Sequence, residues 1–213
     1  MIAILDYGVG NLFSLRCSFE KIGADIIVTN DPDQIRQADK LVLPGVGAFE
    51  DAAKKLRESG LDVVLKEEVA AGKPLLGICL GMQLLFEKSY EYGEHDGLGL
   101  LQGKVVGMGG RLPNKLQIPH IGWNALHIQQ KNCPLFRYIH DNDCVYFVHS
   151  YYAIDCSDSL AASTEYGLEL TAAVAKDHIF GCQFHPEKSG QVGLNILRAF
   201  CEMEVSYADF SCN

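Results

Sequence analysis

The sequence has 213 residues, of which 48% are hydrophobic and 21% are charged, so disordered and collagen-like proteins are excluded. Its 18 basic and 27 acidic residues give a formal net charge of −9. The sequence shows no stripe of basic residues that could neutralise phosphates, which argues against nucleic acid as a partner. No apolar run approaches the roughly 20 residues that span a bilayer, and the first residues have the pattern of a strand rather than a signal peptide. We therefore expect a cytoplasmic protein with no membrane partner.

Short apolar runs alternate with segments of helical periodicity through the first half of the chain. Strands are predicted at residues 2–6, 25–29, 40–43 and 74–79. Helices are predicted at residues 12–22, 32–38, 49–56, 61–71 and 80–87. This alternation is typical of βαβ units, which build a largely parallel sheet with helices on both faces.

The second half contains strand-like segments joined by short polar turns, followed by one helix. The strands are predicted at residues 104–108, 115–119, 124–129, 145–153, 160–165, 170–176 and 179–184, and the helix at 189–203. These segments indicate an antiparallel portion added to the sheet. We predict an α/β fold with one domain at residues 1–204, and we expect residues 205–213 to form a flexible tail.

The strongest motif is GICLGMQ at residues 77–83, which follows a predicted strand and opens a helical run. It is a G-x-C-x-G form of the nucleophile elbow, in which a sharp turn presents the nucleophile above the sheet. Cys79 would lie at a helix N-terminus, which favours the thiolate, and the Leu80 amide would point to the position of an oxyanion. The other seven cysteines are scattered without a Cys-x-x-Cys pair, so we expect them to be small apolar residues.

A base and its orienting group are predicted from Phe-His-Pro-Glu, which ends at Glu187 directly after the last predicted strand. Pro186 favours an extended His185, and residues two apart in an extended chain face the same side. Glu187 can then reach the imidazole and fix its tautomer. With the elbow, these residues predict a Cys79, His185 and Glu187 triad.

Two glycine-rich turns follow other strands. The turn at residues 44–47 ends a strand that we expect beside the elbow strand, so its amides could donate to the same oxyanion. The turn at residues 6–11 has the position of a dinucleotide-binding loop, but Phe13 stands where the G-x-G-x-x-G/A pattern needs Gly or Ala. No other metal or cofactor motif occurs, so we predict neither.

With these motifs, the chain resembles the triad (class I) glutamine amidotransferases. Residues 6–12, the PHIGWN segment at 119–124 and the aromatic segment at 146–152 look like the signatures of one family among them, the glutaminase subunits of imidazole glycerol phosphate synthase. The resemblance implies a flavodoxin-like three-layer fold with a mainly parallel central sheet and an added antiparallel portion.

The resemblance also implies the chemistry of the site. Cys79 would attack L-glutamine and form a thioester, and His185, oriented by Glu187, would transfer protons. The amides of Val46 and Leu80 would form the oxyanion hole. The glutamine would be held by Gly47, Gln83, Ser150 and Tyr151.

The resemblance also implies a partner, because the released ammonia must reach an acceptor site. The amidotransferase domain accounts for the 213 residues, so we expect the acceptor site on a second chain. In the family the partner is a (β/α)8-barrel cyclase subunit, which makes imidazole glycerol phosphate and aminoimidazole carboxamide ribonucleotide in histidine biosynthesis. Asn11, Trp123, Asn124 and Lys188 would meet the barrel. Two alternatives stay open, namely a paralogous subunit for surface-sugar amination and a stand-alone cysteine hydrolase of γ-glutamyl compounds.

Overall fold

The computed structural model describes residues 1–113 and 116–204, and its first half has the predicted alternation of strands and helices. The apolar runs form buried strands because both faces of the sheet are covered. Asp31 caps its helix through its side chain, and Pro32 follows at the first helical position. The elements are β1 (Ile2–Leu5), α1 (Leu12–Lys21), β2 (Ile26–Thr29), α2 (Pro32–Gln37), β3 (Lys40–Leu43), α3 (Phe49–Glu58), α4 (Leu61–Ala70), β4 (Leu75–Ile78) and α5 (Leu80–Gln83).

The second half is mostly strands, and it ends in one long helix. The strands are β5 (Phe86–Ser89), β6 (His95–Asp96), β7 (Leu101–Gly107), β8 (His120–Ala125), β9 (His127–Ile128), β10 (Cys144–His149), β11 (Tyr151–Ile154), β12 (Leu160–Glu165), β13 (Glu169–Lys176) and β14 (Ile179–Cys182). Short 3₁₀ turns lie at Pro134–Phe136 and Pro186–Lys188, and α6 spans Gly190–Glu202.

The central sheet has eight strands in the order β2-β1-β3-β4-β14-β13-β12-β9. The five strands from β2 to β14 are parallel to one another, whereas β13, β12 and β9 continue the sheet in antiparallel pairs. The α/β fold with an added antiparallel portion is therefore confirmed. Because β3, β4 and β14 are parallel neighbours, the loops after them emerge at the same edge of the sheet.

The sheet separates two apolar cores, because alternate residues of each strand face opposite sides. On one side, Ala3 and Leu5 of β1 lie in a core with buried residues of α2, α3 and α4. On the other side, Ile2 and Ile4 lie in a core with buried residues of α1 and α6. The molecule thus has the three predicted layers.

Two smaller sheets lie beside the central one. The single strand predicted at residues 145–153 is wrong, because the segment contributes to both of them. That segment forms two strands, of which β10 pairs with β8 and β11 pairs with β7 in different sheets. The chain changes sheets at Ser150. The apolar pattern is similar before and after this residue, so the pattern could not show the change of pairing partner.

Three other predicted elements are wrong in part. The helix predicted at residues 80–87 ends after one turn, and Phe86 starts a strand that pairs with β7, so tertiary pairing overrides helix propensity. In the strand predicted at 115–119, Lys115 lies outside the described residues and residues 116–119 form no strand, because Pro119 has no N–H to donate to a ladder. The strand predicted at 124–129 is divided between β8 and β9.

Within the described ranges, 1–113 and 116–204, no helix is both long enough and apolar enough to cross a membrane. The tail expected at residues 205–213 lies outside these ranges.

Candidate active site

The elbow forms where β4 runs into α5, with Cys79 at the turn between them. Cys79 has φ of 55°, a left-handed conformation that side chains rarely adopt and that marks a strained turn. The flanking residues Gly77 and Gly81 must be glycine, because neighbouring backbone atoms leave no room for a side chain. A Cβ atom added to Gly81 would lie 1.8 Å from the Leu43 carbonyl oxygen, and one added to Gly77 would lie 2.8 Å from backbone atoms of Gly81 and Met82.

The thiol of Cys79 lies in a polar but largely buried environment, with the residue 7% exposed. Its backbone N–H donates to the Cys182 carbonyl over 2.7 Å, which joins the elbow to the end of β14. The Gln183 amide nitrogen lies 3.8 Å from the sulfur and donates to it. Because α5 has only four residues, the dipole behind the thiol is that of one turn, weaker than the sequence predicts.

His185 and Glu187 form a buried pair at the end of β14. The imidazole Nδ1 and a Glu187 carboxylate oxygen are 2.7 Å apart, and both side chains are 3% exposed. Burial alone lowers the pKa of His185, but hydrogen bonds to Cys79 and Glu187 outweigh this effect and raise the pKa to about 9. These contacts therefore favour the imidazolium form of His185 near pH 7.

The backbone around His185 is fixed from two directions. His185 is extended, as Pro186 predicts, whereas the following residues form a 3₁₀ turn that still brings Glu187 back to the ring. The His185 N–H donates to the Tyr146 carbonyl of β10. The Ser189 hydroxyl donates to the His185 carbonyl over 2.7 Å and accepts from the Tyr146 N–H over 2.9 Å.

The turn after β3 packs directly on the elbow, as the parallel pairing predicts. A Cβ atom added to Gly45 would lie 2.7 Å from the Gly81 nitrogen and 2.9 Å from the Leu80 Cβ. The turn is anchored by Tyr7, whose hydroxyl donates to the Pro44 carbonyl over 2.6 Å. Burial and the charge of Cys79 raise the pKa of Tyr7, so the phenol remains a donor. This contact gives Tyr7 a structural role, which is to hold the turn after β3 in place.

A cavity of about 1110 Å³ opens above the elbow, and it collects most of the predicted site residues. Those that line it are Cys79, His185, Val46, Leu80, Gly47, Gln83, Ser150, Tyr151 and Lys188. Glu187 lies behind His185, and Asn11, Trp123 and Asn124 are not among the lining residues. The cavity thus joins the nucleophile, its base and the residues expected to hold a substrate.

Gln83 organises one wall of the cavity. Its amide nitrogen donates to the Tyr151 carbonyl over 3.1 Å and to the Gln183 side-chain oxygen over 2.9 Å. Because Gln183 also contacts the Cys79 sulfur, the wall and the nucleophile share one hydrogen-bond network. Ser150 and Tyr151 reach this wall because the chain changes sheets there.

The residues expected to meet a partner lie outside the cavity, except Lys188. Trp123 is 54% exposed and meets Tyr146 edge-on with ring centroids 6.1 Å apart. Asn11 caps α1, since its side-chain oxygen accepts from the Ser14 N–H. The Asn124 side chain is 3.0 Å from His120 and donates to the Glu165 carbonyl.

Glu91 is a site residue that the sequence interpretation missed, because no motif was recognised in the segment that contains it. Among the described residues that line the cavity it is the only carboxylate. Its carboxylate accepts from the Phe49 N–H over 2.6 Å and so caps α3. Burial raises the pKa of Glu91, although the Phe49 hydrogen bond opposes the shift.

The sequence matches one family over almost its whole length. Residues 3–203 match the glutamine amidotransferase class-I family. Imidazole glycerol phosphate synthase subunit HisH of Caldanaerobacter subterraneus subsp. tengcongensis is 50% identical over 204 residues, which cover 95% of this chain and 98% of that protein. The subunit of the same name from Sulfurimonas denitrificans is 51% identical over 203 residues, which cover 94% and 97%.

Solved structures share the fold at much lower sequence identity. A glutamine amidotransferase crystal structure matches with a TM-score of 0.73 and 18% identity, covering 94% of this chain and 97% of that chain. The PurLQS structure from Thermotoga maritima matches with a TM-score of 0.72 and 17% identity, covering 93% and 96%. At these identities the likeness shows the fold alone.

Proposed function

The chain belongs to the class-I glutamine amidotransferases and, within them, to the HisH subunits of imidazole glycerol phosphate synthase, and we propose from this premise that it hydrolyses glutamine for a synthase partner. The observation that carries the proposal is the buried Cys79, His185 and Glu187 arrangement at one cavity. In this function the chain is the glutaminase subunit of the enzyme, and the released ammonia serves histidine biosynthesis.

The reaction runs in two steps, each with its proton transfer assigned to His185. The Cys79 thiolate attacks the side-chain amide carbon of glutamine, and the carbonyl oxygen becomes an oxyanion. His185 then protonates the leaving nitrogen, the C–N bond breaks, and ammonia departs from a γ-glutamyl thioester. In the second step His185 takes a proton from water, the hydroxide attacks the thioester, and the C–S bond breaks to give glutamate. Glu187 orients His185 in both steps.

The oxyanion is stabilised by two backbone N–H groups in this proposal, those of Leu80 and Val46. Support comes from the packing of the residue 44–47 turn on the elbow, which places both segments at the cavity beside Cys79. Gly47 has φ of 94°, which a residue with a side chain rarely adopts, so the turn depends on glycine there. A donor of this kind contributes about 10²–10³ in rate.

The substrate is held at both ends in this proposal. Gly47, Gln83, Ser150 and Tyr151 hold the glutamine through backbone and amide contacts. Glu91 pairs with the α-ammonium group, because a cation of a free amino acid needs an anionic partner in the cavity. Its position as the carboxylate of the described cavity lining supports this role.

The partner in this proposal is a (β/α)8-barrel cyclase subunit, which docks over Asn11, Trp123, Asn124 and Lys188. The relatives that the chain matches are named as subunits of a synthase, which supports a complex between this chain and a second subunit. Exposed apolar side chains on the same elements support a docking face, since Ile121 beside Trp123 is 58% exposed and Phe13 beside the α1 cap is 76% exposed.

The experiment that tests the function is Cys79→Ala assayed in the complex with the cyclase. We expect glutamine-dependent synthesis to fall by about 10⁴-fold or more, because no thioester can form. Synthesis from added ammonium should remain, since the acceptor site lies on the partner. Loss of both activities would contradict the proposal. Full glutaminase activity of the isolated wild-type chain would favour a stand-alone hydrolase.

A further inference from the structure

A row of hydrogen-bonding groups runs from the glutamine wall to the strand that carries Trp123, and it contains two buried histidines. His149 Nδ1 is 2.9 Å from the Tyr151 carbonyl oxygen, and His149 Nε2 is 3.1 Å from His120 Nδ1. His120 Nε2 is 3.0 Å from the Asn124 side-chain oxygen. The Asn124 side-chain nitrogen donates to the Glu165 carbonyl over 2.9 Å, which ends the row.

Both imidazoles are shielded from water. His120 is fully buried and is stacked between Phe147 and Tyr166, with ring centroids 4.9 and 4.1 Å away, and His149 is 6% exposed. Burial lowers the pKa of His120 and lowers that of His149 to about 3, and the neighbouring His185 further disfavours a charge on His149. Each ring is therefore neutral near pH 7 and carries one proton.

Two protons cannot satisfy the three contacts that the rings make. A carbonyl oxygen only accepts, so the Tyr151 contact needs a proton on His149 Nδ1. The contact between the rings needs one proton, and the Asn124 oxygen needs a third on His120 Nε2. Two unprotonated ring nitrogens 3.1 Å apart would repel each other, so one proton stays between the rings and the other can satisfy only one end of the row.

We propose that His120 and His149 are positioning residues that form a tautomeric relay, in which the Asn124 amide decides whether His149 donates to the Tyr151 carbonyl. When Asn124 presents its oxygen, His120 donates to it, His149 donates to His120, and the Tyr151 carbonyl loses that partner. When Asn124 presents its nitrogen or withdraws, both ring protons shift and His149 donates to Tyr151.

The consequence reaches the nucleophile through contacts already described. The Tyr151 carbonyl also accepts from Gln83, Gln83 donates to Gln183, and Gln183 donates to the Cys79 sulfur. The relay therefore gives the Asn124 side chain, beside Trp123, control over a wall of the glutamine site. This role rests on the proposed function, since it assumes that the wall binds glutamine and that β8 faces the partner.

The first test reads the ring protons directly, by ¹⁵N NMR of the full chain labelled at histidine. We expect His149 to carry its proton on Nε2 in the wild type and on Nδ1 in Asn124→Ala. Ile121→Ala is the control, because Ile121 is on the same strand but is exposed. An unchanged His149 tautomer in Asn124→Ala, or a doubly protonated ring in either protein, would overturn the relay.

The second test separates positioning from mere packing, by glutaminase kinetics of the complex with the cyclase. In the complex, the proposal has the docked cyclase turn Asn124 away from His120, so that His149 donates to Tyr151. His149→Ala should then raise the KM for glutamine by about tenfold, because the Tyr151 carbonyl loses that donor. His149→Asn keeps a donor near the Nδ1 position, so its KM should return to within about threefold of the wild type. Equal KM values for the two variants would contradict the relay. An inactive wild-type complex would count against the proposed function only, because the NMR test does not depend on turnover.

Discussion

At the scale of single residues, the site depends on buried charges that support one another. His185 is buried deeply enough to lose its proton, yet its pKa is raised to about 9 by Cys79 and Glu187. Glu187 has one carboxylate oxygen on His185 and a second, buried oxygen without a hydrogen-bond partner among the described residues. A carboxylate in that environment is stabilised chiefly by the imidazolium, so the two charges depend on each other.

The His185 pair should make stability fall as pH rises. The pKa of His185 is about 9 in the folded chain and about 6.5 when unfolded, so its stabilisation is complete below about pH 6.5 and is lost as pH rises through 9. In Glu187→Gln this fall should be smaller, because one of the two groups that raise the pKa is gone. Denaturant unfolding at pH 6.5 and 9 measures the difference.

Glu58→Gln is the control for that experiment, since the Glu58 side chain is 65% exposed. An equal fall in the wild type and Glu187→Gln would contradict the coupling.

The roles of His185 and Glu187 in turnover are separated by measuring kcat for His185→Ala and Glu187→Gln. His185→Ala removes the proton carrier and should lower kcat by about 10³-fold, and Glu187→Gln, which leaves the imidazole in place, should lower it less.

Glu91 should control recognition of the free amino acid. We expect Glu91→Gln to raise the KM for glutamine by about tenfold, with a smaller change in kcat, because in the proposed role the carboxylate contacts a part of the substrate that does not react. Turnover of glutaramic acid, which lacks the α-ammonium, is the matched comparison and should be unaffected. A similar loss with both substrates would mean that Glu91 acts through its cap on α3.

At the scale of elements, the elbow works because two loops share one small space. The Gly81 backbone lies against the Leu43 carbonyl of β3, and the turn after β3 lies against Gly81 in return. The nucleophile and the residue 44–47 turn are therefore held in a fixed relation by close backbone packing. Such rigidity is what a preorganised oxyanion hole requires.

A single methyl group should break this arrangement. In Gly81→Ala the added Cβ would lie 1.8 Å from a backbone oxygen that cannot turn aside, so we expect a loss of about 3 kcal/mol or more in the free energy of unfolding. Gly109→Ala is the control, because a Cβ atom there meets nothing within 4 Å. Thermal unfolding of both variants decides the point, and equal stability would contradict the packing argument.

At the scale of the whole molecule, the cavity and the proposed docking face lie on adjoining surfaces. β10 joins them, because its residues pair with β8, which carries Trp123, and its last residue leads into the cavity wall. The exposed Trp123 ring therefore lies one strand away from the proposed glutamine site. An ammonia-supplying subunit needs this proximity, because ammonia released into water is protonated and lost.

Trp123→Ala should weaken the complex without destabilising the chain. A large aromatic side chain at a protein interface typically contributes about 2 kcal/mol, which corresponds to a roughly thirtyfold higher Kd for the cyclase. Val63→Ala is the matched control, since Val63 is also 54% exposed but lies on α4, on the opposite face of the sheet from α1 and α6. Titration calorimetry measures both, and an unchanged Kd for Trp123→Ala would contradict the proposed interface.

The sequence by itself determined the parallel half of the fold, the elbow and the pairing of His185 with Glu187, because these depend on residues close together in the chain. Local turn chemistry and periodicity are sufficient for such features. Only the tertiary structure decided that the segment at 145–153 divides between two sheets, that Glu91 enters the cavity, and that His120 and His149 join Asn124 to Tyr151. These depend on which distant strands pair, and the same apolar alternation is compatible with several pairings.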